Sequence, residues 1–242
     1  MKILVCISHV PDTTSKINFT ENDTKFDTNG VQFVINPYDE FSLTRAMWFK
    51  EKQGATVTVA NVGNTTTEPT LRKALAIGAD DAVRVDMEAT DAYSVAHQIS
   101  EYAKSNGYDL VLTGKETINY NGSQVAGMIA EMLDMPFVSL AAKLDVADGN
   151  AIAERDIQGG TEVVEFSLPA VLSCAKGMAE QRIPNMRGIM AARSKPLNVI
   201  APVGGDAQTT FASYELPAAK TECKYIDPEN AAELVNLLRN EA

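Results

Sequence analysis

Short apolar runs alternate with amphipathic stretches through the first 135 residues of the chain. The runs at 2–7, 55–62, 82–86 and 108–112 are rich in apolar and β-branched residues and predict strands that are buried on both faces. Apolar residues spaced three and four positions apart predict helices that begin near Pro37 and that occupy 68–77, 89–104 and 124–135. Because the connections are short, this alternation predicts an α/β fold with a doubly wound, mostly parallel Rossmann-like sheet.

The pattern changes after residue 135, where strands predicted at 137–146, 151–157, 162–168 and 170–174 follow one another closely. Their spacing indicates antiparallel or mixed additions that extend the sheet. An outlying hairpin is predicted within 17–33, with its turn at 27–30, and a short helix is predicted at 188–193. We therefore expect one α/β domain over residues 1–200.

A C-terminal arm is expected over 201–242, because a linker-like stretch leads into one last helix. Asp227 is the predicted N-cap of this helix, and Pro228 is its predicted first residue. The helix carries an apolar stripe formed by Ala231, Leu234, Val235 and Leu238. Such a stripe needs a surface to pack on, which is either the core of the same chain or another chain.

The junction between the strand at 108–112 and the helix at 124–135 is the main candidate for a ligand site. Its loop contains Gly114 and Gly122, and its helix begins near Gln124. In an open α/β sheet, such a junction offers a phosphate unpaired backbone N–H groups and the positive end of a helix dipole. The spacing matches neither a P-loop nor GxGxxG. An ordinary turn formed by Asn and Gly is the alternative interpretation.

Composition excludes several classes of partner. The chain has 242 residues and a net charge of −11, which argues against nucleic acid or an anionic membrane as a general partner. The charge is unevenly placed, since the segment 176–195 has five cationic side chains and one acid. No apolar run approaches the roughly 18 residues of a membrane span, and no signal peptide is recognisable. Three separated cysteines without CxxC indicate reduced thiols, so we expect a cytoplasmic protein that does not span a membrane.

Catalytic motifs do not emerge from the sequence. His9 and His97 are the only histidines, and no Ser–His–Asp order, GxSxG motif or paired metal ligands accompany them. His9 follows the first strand, where ligands bind in such sheets, but a single histidine defines no mechanism. The chain is therefore predicted to bind a ligand rather than to cleave bonds.

Five separated segments together resemble the β subunit of electron transfer flavoproteins. They are Asn-Pro-Tyr-Asp-Glu at 36–40, Leu-Arg-Lys-Ala-Leu-Ala-Ile-Gly-Ala-Asp at 71–80, Gly-Lys-Glu-Thr-Ile-Asn-Tyr-Asn-Gly-Ser-Gln-Val at 114–125, the hairpin at 154–162 with the strand at 168–173, and the segment at 182–196. Each segment is weak alone, but their order over nearly the whole chain makes the match strong. The family fold is a Rossmann-like sheet of the adenine-nucleotide α-hydrolase type.

The resemblance implies an electron-carrier subunit of a heterodimer rather than a stand-alone enzyme. The α subunit carries a redox FAD, which takes electrons from acyl-CoA or other dehydrogenases and passes them toward a membrane quinone oxidoreductase. The β subunit of most members holds a structural AMP. In electron-bifurcating members, the alternative, it holds a second FAD and accepts hydride from NADH. A non-redox adenine-nucleotide binding module is a second alternative, and an adenylyl-transfer enzyme is a third, although its HxGH or SGGxDS-type motif is missing.

Carried over residue by residue, the family's nucleotide site lies at the ends of predicted strands and in the loop 114–125. It comprises Cys6, Asn36, Pro37, Tyr38, Asp39, Val62, Gly114, Lys115, Glu116, Thr117, Ile118, Asn119, Tyr120, Asn121, Gly122, Ser123, Gln124 and Val125. Backbone N–H groups and the Ser123 hydroxyl are expected near a phosphate, with Gln124 at the helix start. Cys6, Val62 and the Asn-Pro pair at 36–37 are expected beside the adenine.

The resemblance also implies two partner-binding regions. Segment 182–196 matches the family's partner-recognition loop, with Met186 where an anchoring Leu is usual and with Arg182 and Arg187 beside it. Asp156 stands where the family has an acid that pairs with an arginine of the α-subunit FAD domain. The alternative interpretation is that these cationic side chains only keep an exposed loop in contact with solvent.

Three departures from the family pattern bear on these expectations. Gln158 replaces the acid that is more often found before Gly-Gly, and Thr13 stands where some members have a tyrosine near the α-subunit flavin. Residues 119–121 replace an acidic run found in many members. This last change removes negative charge near the nucleotide and keeps FAD open as the ligand of this subunit.

Overall fold

A computed structural model describes residues 1–219 and 223–241, which form six α-helices and thirteen β-strands. The helices are α1 (Pro37–Gln53), α2 (Glu68–Ile77), α3 (Ala92–Asn106), α4 (Val125–Leu133), α5 (Met186–Ala192) and α6 (Ala231–Glu241). The strands are β1 (Lys2–Cys6), β2 (His9–Pro11), β3 (Phe19–Thr20), β4 (Lys25–Phe26), β5 (Phe33–Ile35), β6 (Thr56–Val62), β7 (Asp81–Val85), β8 (Leu110–Gly114), β9 (Phe137–Ala147), β10 (Asn150–Ile157), β11 (Gly160–Ser167), β12 (Ala170–Cys174) and β13 (Leu197–Ile200). Short 3-10 turns precede α2 and α6.

Nine strands form one sheet in the order β11-β10-β9-β12-β8-β1-β6-β7-β13. All neighbours from β9 to β13 in this order pair in parallel. Strand β10 is antiparallel to both β9 and β11. The predicted fold class, a doubly wound and mostly parallel sheet with antiparallel additions, is confirmed.

Helices cover both faces of this sheet. Leu43 of α1 and Leu75 of α2 pack against one face, and Ile99 of α3 and Ile129 of α4 pack against the other. The central strands are nearly continuous apolar runs because both of their faces are covered. In β1, residues 3–5 have no exposed surface.

The strand order reverses next to β1, and this reversal locates a crevice. The chain passes from β1 to β6 and β7 on one side, and then crosses to β8 on the other side of β1. Val5 of β1 pairs with both Val59 of β6 and Leu112 of β8, so the three strands are in register. In open α/β sheets, ligands bind outside the carboxyl ends of the strands at such a switch point.

Three local features differ from the sequence predictions. The hairpin of β3 and β4 turns at 21–24 rather than at 27–30, and Glu21, Asn22 and Asp23 adopt left-handed φ values of 54°, 57° and 62°. The residues after β1 include a strand, β2, which pairs with β5. Strand β13 has no counterpart among the predicted strands. Strand β13 has only four residues, and its parallel pairing with β7 is a tertiary contact that the local sequence pattern does not predict.

The C-terminal helical segment begins at Pro228, as predicted, but its first three residues form a 3-10 turn and α6 itself begins at Ala231. Asp227 accepts a hydrogen bond from the N–H of Glu229 (3.0 Å) at the start of the turn that precedes α6. The apolar stripe remains accessible, since Leu234, Val235 and Leu238 are 47%, 46% and 61% exposed. Packing of the stripe on the core or on another chain stays a prediction. Within the described residues, no helix is long and apolar enough to cross a membrane.

Helix α5 is attached to α2 through backbone groups. Arg72 of α2 donates to the carbonyls of Ala192 (2.9 Å) and Lys195 (2.7 Å), and the Lys195 ammonium donates to the carbonyl of Leu75 (2.9 Å). A Cβ atom on Gly188 would collide with the carbonyl oxygen of Ala76. The glycine therefore allows the two helices to approach closely.

Gly188→Ala is expected to lower the free energy of unfolding by about 1–3 kcal/mol, because the added methyl must displace helix backbone. Gly127→Ala in α4 is the matched control, since a Cβ there meets only Phe137 at 3.6 Å. This control is expected to raise the free energy of unfolding by about 0.5–1 kcal/mol. Urea unfolding followed by circular dichroism measures both variants, and equal effects would contradict the close approach of α5 to α2.

Candidate functional site

Asn36 is fully buried at the start of α1, and it links that helix to the loop after β8. Since Pro37 follows, the backbone of Asn36 is extended (φ −54°, ψ 128°), and its side chain does not cap α1. The amide instead donates from Nδ2 to the carbonyl of Glu116 (2.8 Å) and accepts the N–H of Ile118 at Oδ1 (3.2 Å). One side chain thus fixes the first half of the loop 114–125.

Asp39, in the first turn of α1, joins the ends of β1 and β8. Its Oδ2 accepts the N–H of Ser8 (2.7 Å), and its Oδ1 accepts the N–H of Gly114 (2.9 Å). Oδ1 also accepts a hydrogen bond from Nδ2 of Asn36 (3.1 Å). Burial raises the pKa of Asp39 to about 6, although these hydrogen bonds act in the opposite direction. A single buried carboxyl therefore bridges two strand ends at the switch point.

Gly114 has to be a glycine because Asp39 approaches its α-carbon. A Cβ atom there would collide with Oδ1 of Asp39 and would lie 2.7 Å from Cβ of Tyr38. A Cβ atom on Gly122 would meet nothing within 4 Å. The first glycine of the loop thus serves close packing, whereas the second lies in open space at the tip.

Lys115 and Glu116 neutralise each other at the base of the loop. The Lys115 ammonium lies 2.9 Å from Oε1 of Glu116 and 4.8 Å from the centre of the Tyr38 ring. The hydrogen bond from Lys115 lowers the pKa of Glu116. Oε2 of Glu116 accepts the Ser123 hydroxyl (3.1 Å). Ser123, predicted to face a phosphate, is therefore bonded within the loop, and a phosphate would compete with Glu116 for this hydroxyl.

The tip of the loop leads into α4 without a side-chain cap. Asn121 and Ser123 have left-handed φ values of 51° and 52°. The N–H of Asn121 closes a turn on the carbonyl of Thr117 (2.9 Å). Gln124 precedes α4, and its side chain makes no capping hydrogen bond. No side chain therefore competes for the first-turn N–H groups of α4 by capping. Anion binding by these groups stays a prediction.

Cys6 and Val62 end neighbouring strands on the same edge of the sheet. Cys6 pairs with Ala60, and the side chains of Cys6 and Val62 are only 8% and 6% exposed. Burial raises the pKa of the Cys6 thiol far above its usual value, with the Asp39 charge contributing. Cys6 thus offers the crevice an apolar wall rather than a nucleophile. Contact of these residues with a nucleotide stays a prediction.

Arg84 also stabilises this edge of the sheet, although the hydrophobic pattern of the sequence does not identify it. It is buried in β7, and it donates from Nη1 to the carbonyl of Gly63 (2.8 Å) and to Asp86 (2.5 Å). Its Nε donates to Glu68 (3.2 Å). Arg84 therefore holds the turn that follows β6 at the same edge of the sheet. A single arginine inside the apolar run 82–86 is the sequence signal that identifies it.

Segment 182–196 presents apolar side chains to solvent. Met186 is the first residue of α5 and is 73% exposed, and Ile183 and Met190 are 93% and 58% exposed. The Asn185 side chain accepts the N–H of Gly188 (2.8 Å) and thereby caps α5. The segment thus displays its apolar residues from an ordered and capped helix.

The charged residues predicted for partner binding lie in different surroundings. Arg182 forms two hydrogen bonds with Glu51 of α1 (2.6 and 3.0 Å), so it attaches the segment to the core. Arg187 is exposed beside Met186. Asp156 is exposed near the end of β10, with one long hydrogen bond from the Thr161 hydroxyl (3.5 Å). Partner binding by these three residues stays a prediction.

Two cavities lie away from the strand-end crevice. One of about 610 Å³ at the amino end of the sheet is lined by residues such as Met1, Asp109 and Leu168. Another of about 590 Å³ lies between α2 and α5 and is lined by residues such as Arg72 and Ile189. Neither includes a residue predicted for nucleotide binding, so the crevice is identified by its bonding groups and not by enclosed volume. In the described part of the chain, no cluster of His, Cys, Asp and Glu could hold a metal ion.

Comparison with known proteins identifies similar sequences over the whole chain. The profile of the electron transfer flavoprotein domain matches residues 23–203. The electron transfer flavoprotein subunit beta of Bacillus subtilis is 35% identical over 259 aligned residues, which cover 100% of this chain and 99% of that protein. The subunit of the same name from Syntrophomonas wolfei is 35% identical over 231 residues, with 95% and 91% covered. Subunit CarD of the caffeyl-CoA reductase-Etf complex of Acetobacterium woodii is 34% identical over 207 residues, with 82% and 78% covered.

Gly114→Ala is expected to lower the free energy of unfolding by about 2–4 kcal/mol, because the methyl group breaks the contact with Asp39 and disturbs a buried hydrogen bond. Gly122→Ala is the matched control and is expected to change it by less than about 0.5 kcal/mol. Denaturant unfolding of both variants measures this difference. Similar values for the two variants would show that Gly114 is not closely packed.

Asp39→Asn tests the buried carboxyl through pH. The native pKa of about 6 lies above the ordinary value of 3.8, so between these values the folded chain holds more protons than the unfolded chain. The stabilisation from Asp39 is therefore complete below about pH 4 and is lost as the pH rises through the native pKa. Asparagine does not titrate. The unfolding free energy of wild type minus that of the variant should fall by about 3 kcal/mol between these limits. A difference that does not change with pH would contradict the raised pKa.

Proposed function

The chain belongs to the electron transfer flavoprotein family as a β subunit, and we propose that it holds a structural AMP at the ends of β1, β6 and β8. The α subunit of the heterodimer carries the FAD that accepts electrons from dehydrogenases such as acyl-CoA dehydrogenases. A quinone oxidoreductase receives these electrons from the FAD. In this proposal, the β subunit braces the complex and docks the dehydrogenase.

The buried pair of Asn36 and Asp39 is the observation that carries the proposal. Their hydrogen bonds attach the start of α1 to the end of β1 and to the loop after β8. The resulting crevice lies at the switch point of the sheet and contains an uncapped helix N-terminus. These two features together are typical of a nucleotide site in an open α/β fold.

The charge around the loop fits the phosphate of AMP. Lys115 pairs with Glu116, and Asn119 and Asn121 are uncharged, so the start of α4 presents no net negative charge. The N–H groups of the first turn of α4 would bind the phosphate oxygens, and the helix dipole would add to the attraction. AMP supplies no redox chemistry and would act as a fixed brace between the loop and the strand ends.

The ionisable side chains near the crevice favour binding over bond cleavage. Burial raises the pKa of Cys174 to about 12, so its thiol stays protonated. His9 stacks on Phe33 with ring centres 4.2 Å apart, and its Nδ1 lies 2.8 Å from the Thr70 hydroxyl. Burial lowers the pKa of His9, which favours its neutral form. The packed position of His9 and the missing HxGH or SGGxDS-type motif argue against an adenylyl-transfer enzyme.

A second FAD in place of AMP is the other candidate for this crevice. The uncharged run at 119–121 would also accept the diphosphate of a dinucleotide. One relative, CarD, is named as a subunit of a caffeyl-CoA reductase-Etf complex. On this alternative, the heterodimer would be of the bifurcating type and would oxidise NADH through the FAD of the β subunit.

Mass spectrometry of the small molecules released from the denatured heterodimer tests the proposal. We expect about one FAD and about one AMP per heterodimer. If two flavins are found per heterodimer and NADH reduces them, the result supports the bifurcating alternative, with FAD in place of AMP. A chain that purifies alone as a homodimer with bound ATP would instead support a non-redox module.

Met186→Ala tests the docking role of segment 182–196. Loss of an exposed apolar anchor should lower the second-order rate constant for reduction by the dehydrogenase about tenfold, and Met186→Glu should lower it further. Nucleotide content should not change, because Met186 lies outside the crevice. Val203→Ala removes an apolar side chain of comparable exposure (52%) outside the segment and is the control. Unchanged electron transfer in both Met186 variants would show that Met186 is not the anchor.

A further inference from the structure

The C-terminal segment after β13 returns to the edge of the sheet where the crevice lies. Asp91 caps α3 by accepting the N–H of Ser94 (2.8 Å) at Oδ1. Its other oxygen, Oδ2, accepts the N–H groups of Gln208 (2.7 Å) and Thr209 (3.0 Å). Gln98 of α3 holds the preceding residues through hydrogen bonds with both backbone groups of Val203 (2.9 and 3.2 Å). The start of the segment is therefore fixed to α3.

Four aromatic side chains then join this segment to the loop 114–125. Phe211 stacks on Tyr120 with ring centres 4.9 Å apart, and Tyr214 stacks on Phe211 at 5.3 Å and on Phe19 at 4.9 Å. The hydroxyls of Tyr120 and Tyr214 lie 3.3 Å apart, within hydrogen-bond distance. The N–H of Tyr214 donates to the carbonyl of Asp23 (2.7 Å). We call Phe19, Tyr120, Phe211 and Tyr214 the aromatic clamp.

The clamp holds the part of the loop that the crevice itself does not hold. Asn36 fixes the first half of the loop through Glu116 and Ile118, but residues 121–124 are exposed. Tyr120 lies directly before this exposed tip. Tyr120 contacts Phe211 and Tyr214 of the C-terminal segment. Tyr214 in turn joins that segment to the hairpin of β3 and β4.

We propose that Phe211 and Tyr214 are positioning residues for nucleotide binding, acting through Tyr120 on the loop 114–125. The inference rests on the proposed nucleotide site. A loop that is ordered before binding loses less conformational entropy when the ligand binds, so pre-ordering raises affinity. Phe211 and Tyr214 contribute this order through their contacts with Tyr120. Because Tyr120 and Phe211 are each 52% exposed, their contacts affect the loop more than they affect the core.

The test uses the intact heterodimer after removal of its nucleotide, titrated with AMP in a calorimeter. Phe211→Ala and Tyr214→Ala should each raise the dissociation constant for AMP about threefold to tenfold, as expected for the loss of aromatic stacking. Tyr214→Phe keeps the ring and should stay within about twofold of wild type. Tyr225→Ala is the matched control, because Tyr225 is an aromatic residue of the same C-terminal arm that is 92% exposed.

The unfolding temperature of the nucleotide-free heterodimer distinguishes positioning from general bracing. We expect it to stay close to wild type in all four variants. Wild-type affinity in both alanine variants would overturn the proposal, and so would a lowered unfolding temperature with unchanged affinity. A Tyr214→Phe variant as weak as Tyr214→Ala would overturn the role of stacking.

The same titrations separate the clamp from the identity of the nucleotide. If wild type binds FAD and not AMP, the assignment of AMP fails. The clamp is then tested by the ratio of variant to wild-type affinity for FAD, with the same expected fold-changes. If wild type binds neither compound, the proposed site and the clamp are both wrong.

Discussion

The hydrogen bonds of two buried side chains, Asn36 and Asp39, hold together the parts of the chain on which the candidate site depends. Burying a carboxyl is costly unless its charge or proton is matched by hydrogen-bond partners. Here the partners are backbone N–H groups from the ends of two different strands, so the carboxyl positions those ends relative to α1. The close fit against Gly114 follows from the same constraint. The crevice therefore results from the reversal of strand order next to β1 and from the hydrogen bonds at the start of α1.

Much of the fold could be predicted because its signals are local. The central strands are buried on both faces, which makes them short apolar runs, and α2 and β12 occupy the predicted residues 68–77 and 170–174. Other features depend on pairing between distant segments. Strand β13 forms by pairing with β7, and β2 forms by pairing with β5. The turn of the small hairpin lies at 21–24, where three consecutive non-glycine residues adopt left-handed φ values that composition alone does not indicate.

The candidate site likewise combines local features, which the sequence predicts, with contacts between distant residues, which it does not. The loop 114–125 can be recognised from its strand, its glycines and its helix, and the family resemblance supplies the class of ligand. The hydrogen bonds that shape the loop could not be predicted, because Asp39 meets Gly114 across 75 residues and Tyr120 meets Tyr214 across 94. Arg182 illustrates the opposite case, since its charge indicates partner binding while its pairing with Glu51 also attaches the segment to the core.

A crystal structure of the purified heterodimer with its bound nucleotide tests whether the strand-end crevice is the nucleotide site. We expect density for a nucleotide outside the carboxyl ends of β1, β6 and β8. Its phosphate should lie against the first turn of α4, and the hydrogen bonds of Asn36 and Asp39 should be intact. Nucleotide density in the cavity between α2 and α5, or in the cavity at the amino end of the sheet, would show that the crevice is not the nucleotide site.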